Sequence, residues 1–192
     1  MTLNEANAVE AFLRDLLCGG VTHHTSAGPG FARRNNQVSG LGWHYLEHTS
    51  IPRFPHQVFV ESFVREALIR LNPEIAAKPE RTEEVLYHLN TIVRSVRSDG
   101  LIKANQSFTE WFRGKKSMPF GENNEHTTVR LIDFDEPTQN HYVVTPRYRF
   151  EQEGGACSPD LVLLINGFPV VVVEAKPPPR PSVSWFDRAT TI

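Results

Sequence analysis

The stretch that decides the fold is SPDLVLLINGFPVVVVEAK, residues 158–176. Two apolar runs, Leu161–Ile165 and Phe168–Val173, flank Asn166-Gly167. Asn-Gly between apolar runs is the strongest short-range signal for a hairpin, because a tight primed turn needs positive φ at both central residues. The unbroken Val170–Val173 run is read as a strand buried on both faces, and so central in its sheet. Side chains alternate along a strand, which puts Glu174 and Lys176 on one face, about 7 Å apart. Folding at the turn brings Asp160, at the start of the first strand, beside Glu174, at the end of the second.

Carboxylates and an ammonium next to buried valine are costly to hold unless they serve a purpose. Converging carboxylates make a hard-oxygen site suited to Mg²⁺, completed by water and a phosphate oxygen. Such an ion lowers the pKa of a bound water and steadies charge on a scissile phosphate. Lys176 is placed to orient or deprotonate that water, or to neutralise the phosphate. The pattern, Asp…Glu-x-Lys, is that of metal-dependent nucleases. The competing reading is a surface hairpin with a Glu and a Lys on its wet face. Pro159 before the Asp, the hairpin spacing and the apolar run before Glu174 favour the site.

Upstream, TTVRLIDF (127–134) and HYVVTPRYRF (141–150) read as two more strands, the first alternating through Val129, Leu131 and Phe134. Arg147 and Arg149 alternate on the second and are candidates to face phosphate; a solvated strand face is the alternative. Asp133 and Asp135 read as turn-capping acids. Helices are expected over 4–17, with Asn4 as N-cap and Gly19-Gly20 as stop, then over 58–71, 80–97 and 105–112. Residues 21–40 read as a long loop, and Leu41–Leu46 as a short extended stretch. The tail, PPPRPSVSWFDRATTI, is expected to leave the sheet extended. The fold class is therefore α/β: helices first, then a mixed sheet whose central hairpin presents Asp160, Glu174 and Lys176.

Composition narrows the classes. Hydrophobic residues are 40% and charged residues 22% of 192, which excludes a disordered chain, a collagen or a coiled coil. No apolar stretch reaches the roughly 18 residues of a membrane span, and the N-terminus lacks a secretory signal's basic and apolar regions. Cys18 and Cys157 occur without ligand spacing, so neither a disulfide framework nor a zinc site is expected, and Cys157 reads as a packed thiol. The histidines at 23, 24, 44, 48, 56 and 88 form no ligand motif. A cytoplasmic setting is the expectation. The net charge of −2 advertises no polyanion binder, although 15 of the 20 basic residues are Arg.

Four segments, in order, resemble one family. EALIRLNPEI (66–75), KANQSFTEWFRG (103–114), VRLIDFDEPTQNHYVV (129–144) and PDLVLLINGFPVVVVEAK (159–176) are similar to the N-terminal region of the restriction (R) subunit of type I restriction–modification enzymes. The resemblance covers residues 58–176. It implies a restriction-endonuclease-like nuclease domain of the PD-(D/E)XK type over 1–176, followed by a divergent or truncated tail over 177–192. Carried onto this sequence, Asp160 and Glu174 become metal ligands for Mg²⁺ and Lys176 the catalytic lysine. Folds of this type often add an acid from an N-terminal helix; Glu10 is the candidate, with a solvated helix glutamate as its alternative. Double-stranded DNA, and the methyltransferase and specificity subunits of a type I complex, become the implied partners. DNA sequence would be read by the specificity subunit.

Departures from the family accompany the match. No Gln-x-x-x-Tyr follows Lys176, and Pro146-Arg147 stands where relatives often carry Asn-Gln. No G-x-x-x-x-G-K-[ST] occurs, so the family's ATP-driven translocase is not encoded in these residues and ATP is not expected to bind them. A truncated gene or fragment is therefore expected, binding Mg²⁺ or Mn²⁺ weakly and cutting DNA barely or not at all by itself. Two alternatives stay open: an inactive remnant that binds DNA or other subunits, and a non-nuclease α/β interaction module.

Overall fold

The computed structural model describes residues 5–21, 37–38, 40–152 and 154–175. In chain order the N-terminal elements are α1 (Glu5–Cys18), β1 (Gly20–Val21), β2 (Gln37–Val38) and β3 (His44–Tyr45). A helical stretch follows: α2 (Glu61–Leu71), α3 (Pro73–Ala76), α4 (Arg81–Asp99) and α5 (Leu101–Phe112). The remainder is β: β4 (Ser117–Met118), β5 (Thr127–Thr128), β6 (Tyr142–Pro146), β7 (Phe150–Gln152), β8 (Gly155–Cys157), β9 (Leu161–Ile165) and β10 (Phe168–Val173). The fold class is α/β, with a mixed four-stranded sheet in the order β10-β9-β6-β3. No helix among the described residues is long and apolar enough to cross a membrane.

The chain divides into two compact units. One comprises residues 52–141 and 164–169 and holds the helices α2 to α5. Its core gathers Val64, Leu68, Ile75, Val85, Leu86, Leu89 and Trp111 from the helices with Phe168 from β10. Phe168 sits among Phe59, Phe108 and Phe112, with ring centroids 5.5, 5.7 and 5.8 Å away in tilted and edge-on arrangements, the geometries aromatic quadrupoles favour. Helix α4 ends as its sequence predicts, at Gly100 with φ +84. Two boundaries differ from expectation. Helix α2 starts at Glu61 rather than Val58, because Phe59 and Val60 are buried in a bent approach to the helix, Val60 is extended, and its N–H donates to Gly167 O at 2.9 Å. Helix α5 starts at Leu101, ahead of the expected Asn105. Its first turn carries exposed Leu101 and Ile102, so the apolar periodicity begins after the helix does.

The hairpin turn belongs to this unit. Asn166 and Gly167 have φ of +51 and +87, the signature of a primed turn. A Cβ on Gly167 would fall 2.7 Å from Val60 O, so no larger residue fits there. Asn166 is fully buried and uses its whole side-chain hydrogen-bonding capacity. Its Nδ2 donates to Leu131 O (2.9 Å) and Asn140 Oδ1 (2.8 Å), and its Oδ1 accepts from Arg70 Nη2 (2.9 Å) and the His141 N–H (2.8 Å).

The strand expected over 127–134 is confined to Thr127–Thr128. Val129 and Leu131 are buried as the alternation implies, whereas Phe134 is exposed. Between them Arg130 pairs with a side chain rather than a strand. Asn72 Oδ1 accepts its N–H at 2.7 Å, and Asn72 Nδ2 donates to its carbonyl at 2.9 Å. Asp133 caps the following turn, accepting from the Asp135 and Glu136 N–H groups.

The other unit comprises residues 1–51, 142–163 and 170–192. In it β3 runs parallel to β6, with His44 opposite Val143 and Tyr45 opposite Val144. Val143, Val144 and Thr145 of β6, and Leu161 and Val162 of β9, are buried. Helix α1 packs on β3: Arg14 lies 5.5 Å from the Tyr45 ring centroid, and the Trp43 N–H donates to Leu17 O at 3.3 Å. Gly19, at φ +74, stops the helix.

The reading of β10 as a central, doubly buried strand is overturned. It is the last strand of the sheet order among the described residues, and Val170, Val171 and Val172 are 37%, 45% and 56% exposed. A β-branched run satisfies the backbone preference of a strand without requiring that both of its faces be covered.

Candidate active site

The open end of the β9–β10 hairpin lies in the second unit described above. Asp160, half-buried, immediately precedes β9, and Glu174, exposed, immediately follows β10. Asp160 Oδ2 accepts a 2.6 Å hydrogen bond from the N–H of Ala175, the peptide that joins Glu174 to Ala175. An ionised acceptor makes this among the stronger bonds available to a backbone amide. It staples the two strands at the point where the acids stand. Asp160 Oδ1 makes no hydrogen bond among the described residues, so one oxygen of that carboxylate stays open.

Glu10 joins this end from α1. It sits one helical turn before Arg14, on the same helix face, and Arg14 is held over Tyr45. Burial pushes the Glu10 carboxyl up from its usual range, the negative charge of Asp160 raises it further, Arg147 pulls it down, and Glu174 raises it. Glu10, Asp160 and Glu174 therefore share one electrostatic neighbourhood, with Arg147 as the cation felt there. Among the described residues, no group of three or more His, Cys, Asp or Glu side chains is gathered closely enough to hold a metal ion. Lys176 lies outside the described residues, as does the 177–192 tail.

Arg147 and Arg149 do not alternate on a strand, as the sequence led us to expect. Strand β6 ends at Pro146, and Arg147 is exposed with φ +50. Its N–H donates to Asp160 O at 3.2 Å, which places it level with the acid on the neighbouring strand. For a residue with a Cβ, that backbone conformation costs about 1–2 kcal/mol. Arg149 stands at the start of the β7–β8 hairpin and is ion-paired with Glu151 at 2.5 Å. Sequence reasoning missed three features, the first two of them without any signal: the Ala175 amide as Asp160's partner, the left-handed backbone of Arg147, and the buried hub of Asn166. The last was half-visible, since Asn-Gly marked the turn but not the network.

Residues 34–186, about four-fifths of the chain, match the family described as Type I restriction enzyme R protein N terminus. The chain belongs to that family. It is similar to the "Type I restriction enzyme HindI endonuclease subunit" of Haemophilus influenzae, with 31% identity over 161 residues, covering 76% of this chain and 14% of that protein. It is also similar to the "Putative type I restriction enzyme MjaIXP endonuclease subunit" of Methanocaldococcus jannaschii, with 26% identity over 149 residues, covering 74% of this chain and 14% of that protein. The chain thus spans about one-seventh of the length of these relatives. No solved structure is significantly similar to it. The matched region includes Arg147, Asp160, Glu174 and Lys176; Glu10 lies upstream of it.

Proposed function

We propose that this R-protein N-terminal region carries a Mg²⁺-dependent site for hydrolysing DNA phosphodiesters, held by the pair Asp160 and Glu174, with Glu10 adding its negative field rather than a third ligand and Lys176 acting on the attacking water. The observation that carries the reading is the Asp160–Ala175 bond, which sets two acids at one strand end within the electrostatic field of a third. The donor set fits the ion. Mg²⁺ is commonly held by one or two carboxylates and keeps several waters and phosphate oxygens as its other ligands, so two protein acids with an open oxygen on Asp160 suffice. Burial first, and then the negative charges of Asp160 and Glu174, raise the Glu10 carboxyl, and a dication would relieve the like-charge part of that rise.

When bound, Mg²⁺ supplies Lewis acidity toward the phosphate and a water of lowered pKa. The chain's own residues do the rest. Asp160 is fixed by its backbone bond and cannot swing away from the strand end. Lys176, two residues beyond Glu174, orients the water or neutralises phosphate charge. The relatives are named endonuclease subunits of type I restriction enzymes. On that likeness, we assign double-stranded DNA as substrate and the methyltransferase and specificity subunits of such a complex as partners, with no base readout by this region.

Titration calorimetry with Mn²⁺ and Mg²⁺ tests the assignment. The parent protein should bind either ion weakly, and Asp160→Asn should abolish binding. Plasmid nicking with Mn²⁺, run beside Lys176→Ala, tests the chemistry. Equal metal binding by parent and Asp160→Asn would refute the site. Metal-independent DNA binding without nicking would favour a binding module that has lost catalysis.

A further inference from the structure

We infer that Arg147 is the phosphate-recognising residue of this site, its guanidinium forking onto non-bridging oxygens of the DNA backbone beside Asp160. The inference rests on the nuclease reading above and names the group that brings substrate to it. Three observations converge on it. The first is the backbone. Arg147 adopts φ +50, where glycine or asparagine would sit at less cost, and it is locked there by the bond from its N–H to Asp160 O. Pro146 precedes it and buried Tyr148 follows it, so the exposed side chain leaves the chain from a fixed point. A strained backbone conformation that persists beside a site is a reason to ask what its side chain does there.

The second observation is that the guanidinium is uncommitted. Among the described residues it makes no hydrogen bond and no ion pair. Its neighbours in the same unit are engaged: Arg14 bonds Asp15 and lies over Tyr45, and Arg149 pairs with Glu151. The third is charge. Glu10, Asp160 and Glu174 would repel an approaching phosphate, and Arg147 is the described cation whose field reaches the same place. A planar, permanently charged fork suits paired phosphate oxygens better than an ammonium does.

The test uses a fluorescently labelled DNA duplex of arbitrary sequence, with anisotropy read across a KCl series in metal-free buffer. Arg147→Gly should weaken binding on the order of tenfold, lower the slope of log affinity against log salt by about 0.9, and leave the unfolding midpoint unchanged or raised. Arg147→Gln, which keeps the Cβ and its strain, should lose the same affinity and slope. Arg147→Lys should keep the slope and recover part of the affinity. Affinity and slope equal to the parent's in Arg147→Gly and Arg147→Gln would overturn the inference, as would a parent protein with no salt-dependent DNA binding. The failures are separable. Loss of the Arg147 effect beside intact, Asp160-dependent Mn²⁺ binding removes this assignment alone, whereas absence of Mn²⁺ binding beside an intact Arg147 effect removes the nuclease chemistry and leaves the phosphate contact.

Discussion

Replacing Asn166 with alanine should be among the most damaging single substitutions in the chain. The side chain fills both donor and both acceptor positions while fully buried. The consequences of losing each bond differ. Asn140 Oδ1 still accepts from the Asp133 N–H, and exposed Arg70 still donates to Gln139 O and can turn to water. Leu131 O, which is buried, and the His141 N–H, which is half-buried, lose Asn166 as a partner, at about 1–3 kcal/mol each with His141 toward the lower end. Alanine also inherits φ +51, which asparagine tolerates and alanine does not, adding about 1 kcal/mol. The bonds belong to one network and will not add fully, so the expected loss is about 3–5 kcal/mol. For a chain of this size that lowers the melting temperature by about 10 °C or more. Urea unfolding of parent, Asn166→Ala and Asn166→Gly measures it, and the midpoint should move with the slope unchanged. Glycine relieves the backbone but not the bonds, and should keep most of the loss. A cost below about 1 kcal/mol for both variants would refute the reasoning, because it would mean the network contributes no net stability.

Glu10→Gln probes the burial and, after it, the negative field of Asp160 and Glu174 that raise the Glu10 carboxyl. A carboxyl whose pKa is raised by folding binds more protons in the native state, so its contribution is fully present below the unfolded value and lost as pH rises through the folded one. Glu10→Gln should therefore raise the melting temperature at pH 7 relative to the parent and leave it unchanged near pH 4; an equal shift at both pH values contradicts the assigned cause. Gly167→Ala should cost about 2–4 kcal/mol, from backbone strain and from the close approach to Val60 O, read by the same urea titration. Asn72→Ala removes the side chain that pairs with Arg130 and should cost about 2–3 kcal/mol; a smaller cost would mean that water replaces it. Val171→Thr, on an exposed strand position, should change stability by less than about 0.5 kcal/mol, whereas a doubly buried valine would lose far more.

Legibility in the sequence followed the range of the physics involved. Features set by a few adjacent residues were readable. Asn166-Gly167 has φ values that few other pairs accept, Gly100 ends α4, and the spacing of Val85, Leu86 and Leu89 announces the buried face of that helix. Features set by a distant partner were not. TTVRLIDF alternates like a strand, but Asn72, nearly sixty residues earlier, supplies the hydrogen bonds a strand would have given Arg130. The four valines of β10 record a backbone preference, and nothing local to them fixes how many faces are covered. Arg147 follows Pro146 in an apolar, β-branched run, and its left-handed turn is visible only once Asp160 is opposite it. Asp160 and Glu174 were legible as a pair because the count of residues between them is set by the hairpin. The amide that ties them was not, since every peptide carries one.

That dependence on register makes the turn matter along the whole length of the hairpin. In a two-residue hairpin the turn alone decides which residues stand opposite one another, and a slip of one residue sends every side chain to the other face. A slip would carry Glu174 away from the face it shares with its neighbours and would offer Asp160 a different amide. At the open end the Asp160–Ala175 bond and the burial of Leu161 and Val162 oppose a slip, although Glu174 is exposed and Val170 to Val172 are only partly covered. The turn end resists it strongly. Gly167 has no space to exchange with a residue bearing a Cβ, and Asn166 would forfeit all four of its bonds on moving. Which residues of β9 and β10 stand opposite one another is therefore set at the turn, by the space at Gly167 and the four bonds of Asn166, as well as by the Asp160–Ala175 bond.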